Sequence, residues 1–153
     1  MRPFFPVDPK TQALKLLARR EHSARELKRK LAARGITDDQ AAAAVEHAIA
    51  ENWQSDARYA GMLVRTRVGA GYGPLRIEAE LEVAGVPLEQ IRAALDEASV
   101  DWRALAIEVH AKKFATLPRT SAERARQYRY LQGRGFDASQ ISAALKGDWG
   151  TDS

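Results

Sequence analysis

Hydrophobic residues recur three or four positions apart along most of this chain, which is the spacing of one face of an α-helix. Leu27 and Leu31 show this spacing, and Ile77 and Leu81 show it again fifty residues later. No segment has the sustained alternation of apolar and polar residues that is typical of a β-strand. The pattern therefore predicts an all-α protein.

The sequence also repeats itself at an offset of fifty residues. Three segments align without a gap; they are residues 30–45, 80–95 and 130–145. Each contains a glycine at the same place, namely Gly35, Gly85 and Gly135. Glycine adopts the left-handed conformation that ends a helix at little cost. Each segment is therefore predicted to be a helix, a tight turn and a second helix.

Polar residues mark where the second helix of each pair should begin. Thr37 and Asp137 are each followed three residues later by a glutamine, Gln40 and Gln140, which is the spacing of a reciprocal capping box. The middle copy has Pro87 instead, a residue suited to a first helical turn. The helix pairs are thus delimited by local signals.

A third helix precedes each pair, with predicted starts at Asp8, at Ser55 and in residues 99–101. Nine helices in three tandem three-helix repeats are therefore expected, each pair resembling a helix-turn-helix unit. Repeats of this kind stack into an elongated, curved array with a long binding face. The predicted boundaries are a flexible N-terminal tail at 1–8, repeats at 9–53, 54–98 and 99–146, and a C-terminal tail at 147–153.

The composition fits a globular protein that works inside the cell. The chain has 153 residues, of which 45% are hydrophobic, and it contains no cysteine. Disulfides and thiolate metal sites are thereby excluded. No apolar stretch reaches the length of a signal peptide or a membrane span. A cytoplasmic protein without membrane contact is expected.

Few residues suit catalysis. The histidines are His22, His47 and His110, and each is expected to be a surface or partly buried helical residue. The glycine-rich loop 69–73 lacks the Lys-Ser/Thr of a P-loop, so it is interpreted as a flexible connection. Glu78, Glu80 and Glu82 alternate on a helix and should form a solvated face. A non-enzyme without metal, cofactor or small-molecule substrate is predicted.

Basic residues gather at the two ends of a chain whose net charge is +4. Arg25, Lys28 and Arg29 fall opposite the apolar face of their helix and should form an exposed basic stripe. Tyr72 stands between two glycines, where an exposed aromatic ring could anchor a partner. A second basic set lies in the third repeat, at Lys112, Lys113, Arg119, Arg124, Arg126, Arg129 and Arg134.

Two signatures resemble those of the RecX family of regulatory proteins. One is A-R-R-E-H-S-A-R-E-L-K-R-K-L-A-A-R-G at residues 18–35, and the other is Y-A-G-M-L-V-R-T-R-V-G-A-G-Y-G-P-L-R-I-E-A-E-L at residues 59–81. The third repeat is similar more loosely, at Lys113, Phe114, Leu131, Arg134, Gly135, Phe136, Gln140 and Ile141. The resemblance runs from about residue 10 to residue 146. Ala84 departs from the basic residue that the family often has before the glycine.

The resemblance implies a small cytoplasmic bacterial protein, built of tandem three-helix repeats, that lodges in the groove of the RecA filament on single-stranded DNA. A monomer is expected, although the sequence does not fix the oligomeric state. It implies inhibition of filament growth, ATPase, strand exchange and co-protease activity, and so modulation of DNA recombination, DNA repair and the SOS response. Candidate contacts with RecA and DNA are Arg20, Arg25, Lys28, Arg29, Arg67, Tyr72, Arg76, Lys112, Lys113, Arg124, Arg126, Arg129 and Arg134.

Two other functions stay open at this point. A helix-turn-helix DNA-binding regulator would act without RecA, although second helices such as residues 38–52 are poor in the side chains that read base edges. A scaffold for some other protein is the third possibility. Whether the chain binds DNA weakly in the absence of RecA is also open.

Overall fold

The computed structural model describes residues 8–146, and every regular element in that range is an α-helix. Of the predicted N-terminal tail 1–8, residues 1–7 lie outside the described residues, as does the predicted C-terminal tail 147–153. Asp8, the last residue of the predicted N-terminal tail, caps the first helix. The nine helices of the described range confirm the predicted all-α class. They are α1 Pro9–Arg19, α2 Ala24–Ala33, α3 Asp38–Ala50, α4 Asp56–Gly69, α5 Pro74–Val83, α6 Leu88–Ala98, α7 Trp102–Lys113, α8 Ser121–Gly133 and α9 Ala138–Lys146.

The three helix pairs share one turn geometry, as the fifty-residue repeat predicts. Gly35, Gly85 and Gly135 have φ values of 86°, 83° and 99°, in the left-handed region. The amide after each glycine donates to the carbonyl of a leucine five residues back, which closes the helix in a Schellman motif. These bonds are Ile36 to Leu31 at 3.3 Å, Val86 to Leu81 at 3.0 Å and Phe136 to Leu131 at 3.2 Å.

The predicted capping box is complete in the third pair. The Asp137 carboxylate accepts from the Gln140 amide at 2.8 Å, and the Gln140 side-chain oxygen accepts from the Asp137 amide at 2.9 Å. In the first pair, Thr37 Oγ1 accepts from the Gln40 amide at 3.3 Å. The starts of helices α3 and α9 therefore agree with the sequence signals.

The described residues divide into two compact units. Unit 1 contains the chain up to Met62 together with Leu81–Ile91, and unit 2 contains Leu63–Glu80 together with the chain from Arg92. The division runs through α4, α5 and α6, so the middle repeat contributes to both units. The three predicted repeat boundaries stay a prediction.

Unit 1 has its core where α1, α2 and α3 pack together. Small side chains on α3 allow the helices to approach closely, because Ala41, Ala44 and Ala48 all face inward. Leu27 and Leu31 of α2 are both fully buried, as their spacing predicts. The remaining core residues are Ala13, Leu16, Ile36 and Val45.

Unit 2 has its core among α7, α8 and α9, with α7 packed most closely on α9. Phe136, the residue after the turn glycine, is the largest fully buried side chain described. It packs with Leu131 of α8 and Ile141 of α9. The glycine turn therefore both ends α8 and directs an aromatic ring into the core.

Two histidines are almost fully buried, so the expectation of a surface or partly buried residue was wrong for them. His22 is 1% exposed and His110 is 5% exposed. His110 Nε2 lies 2.6 Å from the Gln127 side-chain oxygen, which satisfies it inside unit 2. Both imidazole rings therefore belong to the folded interior and not to the candidate binding surface.

Candidate partner-binding surface

The candidate contact residues fall into both units. Arg20, Arg25, Lys28 and Arg29 lie in unit 1, and the other nine lie in unit 2. Within unit 2, the residues nearest one another surround a loop and a neighbouring cleft. The loop is 69–73, between α4 and α5.

Tyr72 lies between two arginines. The guanidinium carbon of Arg134 is 3.8 Å from the centre of the tyrosine ring, and that of Arg76 is 4.3 Å from it. Cations at this distance are attracted by the negative face of the ring. Tyr72 is consequently half-buried, not the freely exposed aromatic that the sequence predicts.

Arg134 also fixes the loop that carries Tyr72. Its guanidinium donates to the carbonyl oxygens of Ala70 and, at 3.3 Å, Gly71. The Gly73 amide donates in turn to the Arg134 carbonyl at 2.8 Å. The glycine-rich segment was interpreted as flexible, but these bonds hold it against the end of α8.

Glu80 connects two of the candidate arginines. Arg67 Nε lies 3.0 Å from both carboxylate oxygens, and its Nη2 lies 2.9 Å from one of them. Arg76 Nε is 3.7 Å from the same carboxylate. The expected solvated acidic face is therefore wrong at Glu80, whose side chain is 31% exposed and orients two cations. We call Arg67, Tyr72, Arg76, Glu80 and Arg134 the Tyr72 cluster.

A cleft of about 480 Å³ adjoins the Tyr72 cluster in unit 2. It lies beside the end of α4, along α7 and against the end of α8. The candidate residues Lys112, Lys113 and Arg134 all form part of its lining. Lys113 Nζ lies 5.2 Å from the centre of the Tyr130 ring, which also lines the cleft.

One face of α8 extends the basic surface. Arg126, Tyr130 and Arg134 are four residues apart, so they follow one another along the helix. Arg124 and Arg129 are exposed on the same helix, as is Arg126. Three of the seven basic residues predicted in the third repeat are thus presented by α8, and Arg134 caps its end.

Arg20, in unit 1, serves an internal ion pair. Its guanidinium lies 2.6 Å from a Glu26 carboxylate oxygen, and this hydrogen bond raises the pKa of Arg20. Burial favours a higher pKa for Glu26, but the hydrogen bond and charge of Arg20 outweigh it and hold that pKa below its usual range. The pair secures the turn between α1 and α2.

The basic stripe of α2 is divided between internal and external roles. Arg25 donates to the Val83 carbonyl at 3.2 Å and lies directly over Gly85. Lys28 and Arg29 are exposed on the same helix. Within the predicted stripe, Lys28 and Arg29 therefore remain available to a partner, whereas Arg25 already contacts the backbone.

The Tyr72 cluster, the adjoining cleft and the exposed arginines of α8 suit a polyanion or an acidic protein better than a reacting substrate. Guanidinium and ammonium groups contact phosphates or carboxylates, and the aromatic rings between them favour stacking. Within residues 8–146, no group of three acidic or histidine side chains is placed to hold a metal ion. None of the helices in this range is long and apolar enough to cross a membrane.

Tyr130 and Glu80 belong to this surface, and reasoning from the sequence missed them both. The sequence pattern does not place Tyr130 among the candidate contacts. Its spacing of four residues from Arg126 and from Arg134 was the available signal. For Glu80 the available signal was its spacing of four residues from Arg76 on α5, whereas Arg67 on α4 meets it only through folding.

Comparison with known families identifies the three-helix pattern. The RecX first, second and third three-helix domains match residues 10–47, 55–95 and 101–145, in that order. These matches cover most of the chain.

Curated relatives agree. A regulatory protein RecX from Xanthomonas oryzae pv. oryzae (strain MAFF 311018) is 45% identical over 148 residues, covering 96% of this chain and 92% of the relative. One from Stenotrophomonas maltophilia (strain R551-3) is 45% identical over 141 residues, or 92% of this chain and 86% of the relative. A regulatory protein RecX from Chromohalobacter salexigens is 43% identical over 141 residues, covering 92% of this chain and 93% of the relative.

Solved structures show the same fold. The crystal structure of RecX from Lactobacillus salivarius has a TM-score of 0.76 at 19% identity and covers 90% of this chain and 92% of its own. A second crystal structure, of a regulatory protein RecX, has a TM-score of 0.77 at 18% identity, with 92% and 73% covered. By its three matched domains and its curated relatives, the chain belongs to the RecX family of regulatory proteins.

Proposed function

We propose that this protein binds the RecA filament on single-stranded DNA and inhibits it. The inhibited processes would be filament growth, ATP hydrolysis, strand exchange and co-protease activity. The observation that carries the proposal is the match of all three RecX domains in order along one chain. The relatives are named regulatory proteins, which supports a non-catalytic role. The proposal includes a monomer that acts in the cytoplasm.

The exposed cations support a partner of this kind. A nucleoprotein filament carries phosphates and acidic side chains, and both attract arginine and lysine. Lys28 and Arg29 in unit 1 and Arg124, Arg126 and Arg129 in unit 2 are exposed and available for such contacts. Arg20 and Arg25 are weaker candidates because Glu26 and the Val83 carbonyl already engage them.

The inhibition mechanism follows from differential binding. A ligand shifts a conformational equilibrium only when it prefers one state. A protein that contacts neighbouring RecA subunits in one arrangement would therefore oppose the rearrangements of nucleotide turnover and subunit addition.

The direct test measures RecA ATPase activity on single-stranded DNA while the purified protein is added. We expect inhibition that saturates, together with shorter filaments in electron micrographs. Undiminished ATPase activity and filament length at saturating protein would contradict the proposal.

Charge reversal then locates the contacts. The variants Lys28→Glu/Arg29→Glu and Arg124→Glu/Arg126→Glu should inhibit less, because each places repulsive charge on an exposed basic surface. Lys10→Glu/Lys15→Glu is the matched control, since both lysines are exposed on α1 outside the candidate set. Circular dichroism should show that all three variants keep their helical content.

The helix-turn-helix alternative finds less support. The first turn of α3 carries Asp38 and Asp39, whose carboxylates would repel DNA phosphates at the end of the helix that reads bases. Sequence-specific duplex binding in the absence of RecA would nevertheless favour that function over the proposed one.

A further inference from the structure

The cleft beside α8 combines apolar, aromatic and charged lining. Part of its wall is apolar, and an aromatic ring, two ammonium groups and one carboxylate also line it. The residues are Val68, Leu105 and Val109 for the apolar part of the wall, Tyr130 for the ring, Lys112 and Lys113 for the ammonium groups, and Glu108 for the carboxylate. At about 480 Å³ the cleft has the size of a small-ligand site.

The Tyr130 ring is held in a fixed orientation. It packs edge-on against Phe114, with ring centres 5.5 Å apart and planes at 89°. Phe114 in turn packs on the buried His110 ring at 5.3 Å. A ring that is oriented in this way presents a stacking face at little entropic cost.

The positive charges available to a ligand come from the two lysines. Lys113 Nζ lies over the Tyr130 ring at 5.2 Å, so a base that stacks on that face has to displace this ammonium group. Arg134 also lines the cleft, but Ala70, Gly71 and Tyr72 already engage its guanidinium. Lys112 Nζ is 3.3 Å from a Glu108 carboxylate oxygen, and both side chains are well exposed. Such a surface pair is weak, so an incoming anion can displace it.

We propose that this cleft binds one nucleotide whose base is unpaired. The base would lie against Tyr130 and the apolar wall, with its phosphate on Lys112 and Lys113. Base–aromatic stacking beside basic side chains is the usual chemistry of single-strand binding. A base in a duplex cannot enter, because both its faces are already stacked.

An acidic peptide fits the same lining less well. Peptides gain much of their affinity from hydrogen bonds with backbone groups. The carbonyls of Ala70 and Gly71 at this cleft already accept from Arg134. The aromatic ring and the two lysines are therefore better matched to a nucleotide.

The test uses the full chain without RecA and measures fluorescence anisotropy. Three labelled probes are compared: a short poly-dT strand, the same strand with abasic sites, and a duplex of equal length. The poly-dT strand should bind about tenfold more tightly than the abasic strand, since the abasic strand has no bases to stack. Equal affinity for all three probes would overturn the proposal, because charge alone would then explain binding.

A mononucleotide arm distinguishes the source of the nucleotide. If dTMP displaces the strand efficiently, a free nucleoside phosphate is the natural ligand. If only the strand binds well, the ligand is nucleic acid. Both results support an unpaired nucleotide, whereas displacement by a short polyglutamate peptide at the same concentration would refute it.

Variants assign the binding to this cleft. Tyr130→Leu should remove the preference for poly-dT over the abasic strand, and Tyr130→Phe should retain it because the ring remains. Lys112→Ala/Lys113→Ala should weaken binding several-fold relative to the control Lys10→Ala/Lys15→Ala. Glu108→Gln should strengthen binding, since it frees Lys112.

The outcome is independent of the proposed function. If the protein inhibits RecA but does not prefer strands that carry bases, the nucleotide-binding proposal for the cleft fails and the proposed function is unaffected. If Tyr130→Leu fails to fold, the abasic strand and the lysine variants still decide the question.

Discussion

Gly73 occupies a place where a side chain would collide with the backbone of another helix end. A Cβ atom there would lie 2.5 Å from the Gly135 carbonyl carbon and 2.7 Å from the Phe136 nitrogen. The close approach allows the Gly73 amide to donate to Arg134 and the Leu75 amide to donate to Gly135, at 2.8 and 3.0 Å. Two amides at the start of α5 are thereby satisfied by carbonyls at the end of α8.

We expect Gly73→Ala to lower the free energy of unfolding by roughly 1–3 kcal/mol, because backbone atoms must move to admit the methyl group. Gly69→Ala is the matched control, since nothing lies within 4 Å of a Cβ atom there. Chemical denaturation monitored by circular dichroism gives both values. Equal stability of the two variants would mean that the close approach is not required.

His22 is a buried histidine, and its two hydrogen-bond partners determine which ring nitrogen carries the proton. Nδ1 lies 3.0 Å from the Arg20 carbonyl, which can only accept, so Nδ1 carries the proton. Nε2 lies 3.0 Å from Lys30 Nζ, which donates to it. Burial lowers the pKa of His22 below its ordinary value of 6.5. A second ring proton would face the Lys30 ammonium.

This arrangement predicts that stability decreases in mild acid. Because the folded pKa of His22 is lowered, the unfolded chain takes up a proton below about pH 6.5 while the folded chain does not. Stability is complete above that pH and is lost as pH falls towards the folded pKa, by at most about 1.4 kcal/mol per pH unit. Denaturant titrations from about pH 7.5 to about pH 5 should show this slope in the wild type and a smaller one in His22→Gln. An unchanged slope would exclude His22 as its source.

At the scale of elements, the three helix pairs share a turn but not a cap. Pro87 stands directly before α6 where the other pairs have Thr37 and Asp137. Proline has no amide hydrogen, so Gln90 lacks the donor that Gln140 finds in Asp137. Within residues 8–146, the Gln90 side-chain oxygen is buried without a hydrogen-bond partner.

Substitution of the two glutamines should therefore have opposite effects. Gln90→Leu removes an unsatisfied buried oxygen and should raise the free energy of unfolding by about 1 kcal/mol. Gln140→Leu removes a satisfied bond to the Asp137 amide and should lower it by about the same amount. Thermal unfolding of both variants provides the comparison, and destabilisation by Gln90→Leu would show that its amide group matters in another way.

At the scale of the whole molecule, charge is the property that a polyanionic partner would sense. The net charge is +4, and exposed cations occur on both α2 and α8. Contacts with phosphates release counterions, so binding through them weakens as salt concentration rises.

We expect affinity for the RecA filament on single-stranded DNA to decrease linearly on a log–log plot against NaCl concentration. Arg124→Ala/Arg126→Ala should reduce the steepness of that line by roughly 1 for each arginine that pairs with a phosphate in the wild type. Filament co-sedimentation at several salt concentrations measures it. A slope that does not change in this variant would place α8 away from the DNA.

Much of the fold followed from local signals. Glycines at fifty-residue spacing predicted three helix ends, and all three have the left-handed conformation. The capping residues Ser55 and Asp101 accept from amides three residues on, as their positions predict. These features depend on residues that are close in sequence, so they can be predicted from the sequence.

The candidate surface was predicted only in part. Basic residues on α8 are exposed as expected, but Arg25 and Arg134 are engaged with the backbone of other elements. Their partners lie 58 and 64 positions away in the chain. Charge patterns count such residues as free, because a sequence does not show which carbonyl a guanidinium will meet.

The sequence by itself determined the helices, their ends and the family, because periodicity, caps and glycine turns act over a few residues. Tertiary structure alone decided which cations remain exposed, that Glu80 of α5 pairs with Arg67 of α4, and that Tyr130 borders a cleft. The physical reason is that burial and pairing depend on the packing of distant segments, and each partner is chosen only when the helices come together.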